Sequence, residues 1–134
     1  MSYRFAQKVL FKHCDPAGIV FYPRYFEMIN DVVEAWFCDR LDAPFEGMHP
    51  DGGVPTAQIQ ATFTAPSRHG DHLVITLECT RIGGASADLA FTATCGEQTR
   101  FTASSTLVNV NANGRPERWP DRLRAAINRE IGEN

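Results

Sequence analysis

Apolar side chains recur at every second position over most of this chain and at helical spacing over one central stretch. From Tyr3 to His13 the odd positions Tyr3, Phe5, Val9 and Phe11 are apolar, with Arg4, Lys8 and Lys12 between them. That alternation predicts a half-buried strand. From about Arg24 to Asp39, Glu27, Asn30, Asp31 and Glu34 stand at i, i+3, i+4 and i+7, a narrow polar stripe. The rest of that predicted helix carries Tyr25, Phe26, Met28, Ile29, Val32, Val33, Ala35, Trp36 and Phe37, so most of its circumference must be covered. Pro23 suits its first position, where a missing N–H costs nothing.

After a loop with Pro44, Pro50, Gly52 and Gly53, period two returns. Ala57, Ile59, Ala61 and Phe63 share one predicted face, as do Leu73, Ile75, Leu77 and Cys79, and then Ala87, Leu89, Phe91 and Ala93. Thr99 to Val110 reads as a last strand, ended by Asn113-Gly114, and Pro120 opens a short helix with Leu123, Ile127 and Ile131 on one side. One strand, one apolar helix and four consecutive strands predict an α+β fold with a five-stranded antiparallel sheet. The helix, about 16 residues and roughly 24 Å long, must lie on a sheet curved enough to wrap it.

The 134 residues, 43% hydrophobic and 22% charged, fit a single domain spanning residues 1–134. The longest nonpolar run, Ala17 to Tyr22, is far below the roughly 20 residues of a membrane span. With no continuous hydrophobic signal region at the start, the expected location is cytoplasmic. Thirteen Lys+Arg against 16 Asp+Glu give a net charge of −3, which argues against a nucleic-acid partner. Cys14, Cys38, Cys79 and Cys95 form no C-x-x-C pair and read as reduced thiols, and no metal-ligand spacing appears.

The chemistry concentrates in His13-Cys14-Asp15-Pro16-Ala17-Gly18-Ile19-Val20-Phe21-Tyr22-Pro23-Arg24-Tyr25. Asp15-Pro16-Ala17-Gly18 has the residues of a type I turn, with Asp first, Pro second and Gly fourth. A carboxylate held by such a turn, just before a helix whose first N–H groups sit at the positive end of its dipole, can serve acyl transfer. It attacks the carbonyl or deprotonates a water, while the amides stabilise the developing oxyanion. His13 and Cys14, adjacent in a predicted strand, point to opposite faces and do not form a nucleophile–base pair; His13 reads as a strand-end histidine in water. Glu27, Asp31 and Glu34 read as a solvated or interface-facing stripe rather than a catalytic acid.

Over that segment the chain resembles the hot-dog thioesterase superfamily, and within it the 4-hydroxybenzoyl-CoA thioesterases, whose motif is similar to C-D-P-A-G-I-V-x-Y-P-x-Y. The resemblance implies a hot-dog fold, a sheet wrapped around a long central helix with a short C-terminal helix. It also implies hydrolysis of an acyl-CoA thioester without metal or redox cofactor, at sites shared between subunits of a homodimer or homotetramer. It assigns the catalytic carboxylate to Asp15 and the polarising backbone N–H to Tyr22, with Gly18, Pro23 and Tyr25 of the same motif beside the substrate. An aromatic acyl group is expected before a long-chain one, because bacterial short-chain thioesterases of the superfamily carry histidine where this chain has Tyr22.

For the CoA phosphates, Arg81, Gly84 and Ser86 are candidates, in a glycine-containing turn whose backbone can approach a ligand closely. A second candidate is the C-terminal group Arg115, Arg118, Arg122, Arg124 and Arg129, equally readable as an ordinary charged helix. The aromatic thioesterases have basic side chains in place of Gly83-Gly84-Ala85. That departure leaves an acyl carrier protein as an alternative carrier, and a non-catalytic acyl-CoA sensor as the alternative from another class. A hydratase is disfavoured, since no Asp/His helix motif of that kind is present.

Overall fold

The computed structural model describes residues 2–132. Strand β1 (Tyr3–Lys8) and a 3-10 turn (Phe11–His13) lead through the motif loop into helix α1 (Pro23–Asp39). A one-turn helix α2 (Phe45–Met48) and the two-residue strand β2 (Gly52–Gly53) follow. Then come β3 (Thr56–Phe63), β4 (His72–Ile82), β5 (Ser86–Cys95), β6 (Gln98–Val108), β7 (Val110–Asn111) and helix α3 (Asp121–Gly132). The main sheet has five strands in the order β1-β4-β5-β6-β3, with every pairing antiparallel, while β2 and β7 form a separate small ribbon. The expected α+β hot-dog architecture is what the chain adopts.

Helix α1 buries Tyr25, Met28, Ile29, Val32, Val33, Trp36 and Phe37, and leaves Glu27, Asn30, Asp31 and Glu34 exposed, as its single polar stripe requires. The sheet covers it with Leu73, Ile75, Leu77, Leu89, Phe91, Phe101 and Leu107. Each such large apolar side chain taken out of water contributes about 1.5–3 kcal/mol. At the far end of α1, buried Glu130 of α3 accepts hydrogen bonds from Trp36 Nε1 at 2.9 Å and Arg40 Nη1 at 3.1 Å. This fastens the C-terminal helix to the central one.

Two expectations need correction. The first strand stops at Lys8 rather than running to His13, and Phe11 is 79% exposed rather than inward. Val9 exchanges backbone hydrogen bonds with Gly70 and Asp71, after which the chain curls into the 3-10 turn. The stretch Phe45–Met48, read as loop, closes one helical turn over Phe37, with ring centroids of Phe37 and Phe45 5.3 Å apart.

Candidate active site

The motif segment folds back on itself before α1 begins. Gly18 N–H donates to Asp15 O at 2.9 Å, closing the type I turn that Asp-Pro-Ala-Gly specifies, and Gly18 takes φ +82°. That left-handed conformation costs a side-chain-bearing residue roughly 1–2 kcal/mol, which is why glycine stands there. Asp15 N–H donates to Ile19 O, Cys14 bridges Val20, and Phe21 N–H donates to His13 O, so Asp15 and Tyr22 belong to one closed loop. Asp15 Oδ1 accepts Ala17 N–H at 2.9 Å. One carboxylate oxygen is thereby held by the turn and the side chain remains partly exposed.

The amides at the start of α1 are mostly engaged. Pro23 has none, Arg24 N–H donates to Phe21 O at 2.8 Å and Tyr25 N–H to Tyr22 O at 3.0 Å. The Tyr22 N–H makes no hydrogen bond among the described residues. Thus the helix does not offer a row of free donors; one N–H, at the residue before its first turn and at the positive end of its dipole, is open to a ligand oxygen. The Tyr22 ring is 57% exposed, 5.9 Å from Phe63, which in turn stacks on Tyr25 at 5.6 Å and meets Phe26 at 6.3 Å. The mouth of the site is aromatic. The Tyr25 hydroxyl is buried beside Ser67 without a well-formed hydrogen bond, and burial pushes its pKa up.

Two cavities flank the N-terminal half of α1. One, about 570 Å³, is lined by Lys12, His13, Arg24, Glu27, Asn30 and Asp31. His13 is buried there, not solvated as the sequence suggested; its Nδ1 accepts Leu10 N–H at 2.9 Å, so the neutral ring carries its proton on Nε2. Burial, followed by the positive charges of Lys12 and Arg24, holds its pKa below the ordinary histidine value. Arg24 pairs with Glu27 at 3.0 Å on the exposed stripe. The other cavity, about 230 Å³, runs between Phe26, Ile29, Asn30 and Val33 of α1 and Ile59 and Ser105 of the sheet. Ser105 is only 6% exposed and its hydroxyl has no hydrogen-bond partner, an arrangement that costs about 1–3 kcal/mol. Neither cavity includes Asp15.

Behind the motif loop lies a polar clamp that no pattern along the chain reveals. Val20 N–H donates to Ser67 O, and Ile19 bridges Arg68. Arg100 from β6 holds that 66–71 segment from below, donating to Pro66 O at 3.2 Å, Ser67 Oγ at 3.1 Å and Asp71 Oδ2 at 2.7 Å. The Arg100 hydrogen bond, joined by Arg68 N–H, keeps the Asp71 carboxyl below the usual carboxylate range.

Asp15, Gly18, Tyr22, Pro23 and Tyr25 are brought together; Arg81, Gly84 and Ser86 are not with them. The motif loop adjoins the start of β4, whereas those three sit around its far end, roughly 30 Å away at about 3.3 Å per residue. Arg81 is 3.8 Å from Asp88, and the carbonyls of Gly83 and Gly84 accept from Arg124 at 2.8 and 3.0 Å. Arg122 likewise donates to the carbonyls of Leu41 and Asp42, so these two C-terminal arginines fasten backbone, while Arg115, Arg118 and Arg129 are exposed. Among the described residues there is no group of side chains spaced to hold a metal ion, and no helix long and apolar enough to cross a membrane.

The profile of the thioesterase-like superfamily matches residues 9–127. A 1,4-dihydroxy-2-naphthoyl-CoA thioesterase from Synechocystis superposes with a TM-score of 0.87 at 19% identity, over 95% of this chain and 96% of that one. A gentisyl-coenzyme A thioesterase gives 0.85 at 22% identity, over 94% and 99%. A Staphylococcus aureus protein solved in complex with CoA gives 0.91 at 16% identity, over 98% and 85%. At these identities the likeness establishes the fold. No curated protein matches by sequence.

Proposed function

The chain belongs to the thioesterase-like superfamily, and from that premise we propose that it hydrolyses an acyl-CoA thioester, with Asp15 as the catalytic carboxylate and the Tyr22 N–H as the oxyanion donor. The observation that carries this reading is the unengaged Tyr22 amide at the mouth of α1, in the same closed loop as Asp15. A thioester oxygen accepting that N–H gains charge as its carbonyl is attacked, and the helix dipole favours that charge. Asp15 then acts in one of two ways. As a nucleophile it adds to the carbonyl carbon, the C–S bond breaks, CoA leaves as thiolate, and water cleaves the anhydride. As a base it takes a proton from the attacking water, and the same C–S bond breaks.

The apolar 230 Å³ cavity favours a compact, aromatic acyl group over a long chain. Two structural neighbours, a dihydroxynaphthoyl-CoA and a gentisyl-CoA thioesterase, act on thioesters of that class. A second copy is expected to complete the site. Strand β3 is one of the two edges of the sheet, and it exposes Ile59 and Phe63 by 38% and 43% next to the exposed Tyr22. Because the Arg81–Ser86 turn lies far from the Asp15 of its own protomer, any contact it makes with the CoA phosphates requires the partner subunit. An acyl carrier protein remains the alternative carrier, since that turn has Gly83-Gly84-Ala85 where the aromatic thioesterases have basic side chains to meet the CoA phosphates.

The test is thiol release from a panel of aromatic and aliphatic acyl-CoA substrates, with Asp15→Asn and Tyr22→Phe alongside. Asp15→Asn is expected to keep the fold and lose roughly 10²–10⁴-fold in turnover, while Tyr22→Phe, which keeps the backbone N–H, stays within a few-fold. Normal turnover by Asp15→Asn removes the assignment. Tight acyl-CoA binding with no thiol released points to the sensor instead.

A further inference from the structure

Among the described residues, the most exposed large apolar side chain is Phe11, in the 3-10 turn just before the motif loop; it is 79% exposed, and its ring lies 5.9 Å from that of His69. Lys12 follows it in the turn, Arg68 precedes His69, and Lys8 pairs with His72 across β1 and β4. All of these polar residues are exposed. Residues 8–12 and 66–72 thus hold Lys8, Lys12 and Arg68 against one acid, Asp71, in a chain whose net charge is −3. That acid is already engaged by Arg100 at 2.7 Å, and none of the three cations forms an ion pair among the described residues. Backbone contacts fix this patch to the motif loop: Phe21 N–H donates to His13 O, Val20 N–H donates to Ser67 O, and Ile19 bridges Arg68.

We infer that this patch receives the adenosine phosphate end of CoA, with the adenine stacked on the Phe11 ring and the phosphates on Lys12 and Arg68; this rests on the thioesterase reading above. Reach supports it. From the Tyr22 N–H, one residue of backbone, the 2.9 Å hydrogen bond between Phe21 and His13 and a 3-10 turn rising about 2.0 Å per residue lead to Phe11, about 10–15 Å in all. An extended main chain advances about 3.3–3.6 Å for every three bonds, and at that rate the pantetheine arm between the sulfur and the first phosphorus of CoA spans roughly 15 Å. A thioester whose oxygen meets the Tyr22 N–H therefore delivers its phosphates to the patch, whereas the Arg81–Ser86 turn, at the far end of β4, is out of range. The chemistry agrees, since aromatic rings stack on bases and guanidinium and ammonium groups pair with phosphate. A second copy fits poorly, because a two-fold contact through this patch sets the same cations against one another.

The experiment measures hydrolysis of benzoyl-CoA and of S-benzoylpantetheine, which lacks the nucleotide, by the wild type, by Phe11→Ala and by the double variant Lys12→Gln with Arg68→Gln. For benzoyl-CoA, KM is expected to rise about tenfold in each variant with kcat within twofold; for S-benzoylpantetheine both constants stay within twofold of the wild type, which also shows that the variants are folded. Calorimetric titration with CoA is expected to show the same tenfold loss of affinity in the variants, and the wild-type affinity is expected to fall as salt is raised. Unchanged KM for benzoyl-CoA overturns the inference. So does an equal loss on S-benzoylpantetheine, which makes the patch a brace for the motif loop. Variants that keep CoA binding but lose hydrolysis of a benzoyl-loaded acyl carrier protein overturn it too, and give the patch to a protein carrier. If the wild type releases no thiol from any acyl-CoA, the thioesterase reading fails on its own. The CoA titration then decides the patch without turnover: tenfold weaker binding by the variants upholds it, and equal or absent binding overturns it.

Discussion

At the residue scale, the site depends on side chains whose surroundings fix one protonation state. His13 is the clearest case, because its Nδ1 is committed to Leu10 N–H and burial holds its pKa below 6.5. Above that value both folded and unfolded chains carry it neutral. Below it the unfolded chain takes up a proton that the folded one resists, so the native state loses stability as pH falls. His13→Asn, which retains an acceptor near Nδ1, is expected to flatten this part of the stability–pH curve; chemical denaturation of both proteins from pH 7.5 to 5 measures it, and parallel curves contradict it. Asp15 differs in kind. Its position follows from local turn chemistry and needs no burial, which is why Asp-Pro-Ala-Gly could be read directly from the chain.

Among the elements, the motif loop is only as fixed as the 66–71 segment that backs it. Arg100 joins that segment to β6 through one guanidinium nitrogen, Nη1, shared among three acceptors. Asp71, the shortest of these contacts, has its pKa depressed, so its contribution is present above the ordinary carboxylate value and is lost as pH drops through its lower folded pKa. Asp71→Asn is expected to destabilise the protein by about 1.5–3 kcal/mol near neutral pH and to lower kcat more than it raises KM, because Ile19 and Val20 hang on that segment. Urea unfolding together with steady-state kinetics checks both. Unchanged kcat at reduced stability makes the clamp purely structural. Alternation could not reveal this pair, since Asp71 and Arg100 are 29 positions apart and sit in stretches that read as turn and strand.

For the whole molecule, the unpaired edge at β3 is the decisive feature. Its Ile59 and Phe63 share a face at period two, as the sequence predicts, yet both remain well exposed because β6 covers only one side of the strand. We expect a second copy to pair along that edge, covering these side chains and bringing its own groups to the aromatic mouth. The expected solution mass is at least twice the 14.9 kDa of one chain. Ile59→Lys, at the edge, is expected to yield a folded monomer, as measured by sedimentation equilibrium and circular dichroism. A wild-type protein that stays monomeric at high concentration removes the shared-site expectation.

The sequence by itself determined helix α1 almost to the residue, the turn that holds Asp15, four of the five sheet strands and the position of Tyr22 before a helix start. These are features of periodicity and turn chemistry, decided by near neighbours along the chain. Only the tertiary structure decided that the first strand stops at Lys8, that His13 is buried, that Arg24 and Tyr25 amides are already used while the Tyr22 amide is not, and that Ser105 faces a cavity without a partner. It also separated the Arg81–Ser86 turn from the motif loop by the length of β4. Each of these is a question of which distant group satisfies a hydrogen bond or fills a space, and a linear pattern holds no record of distance between residues far apart in the chain.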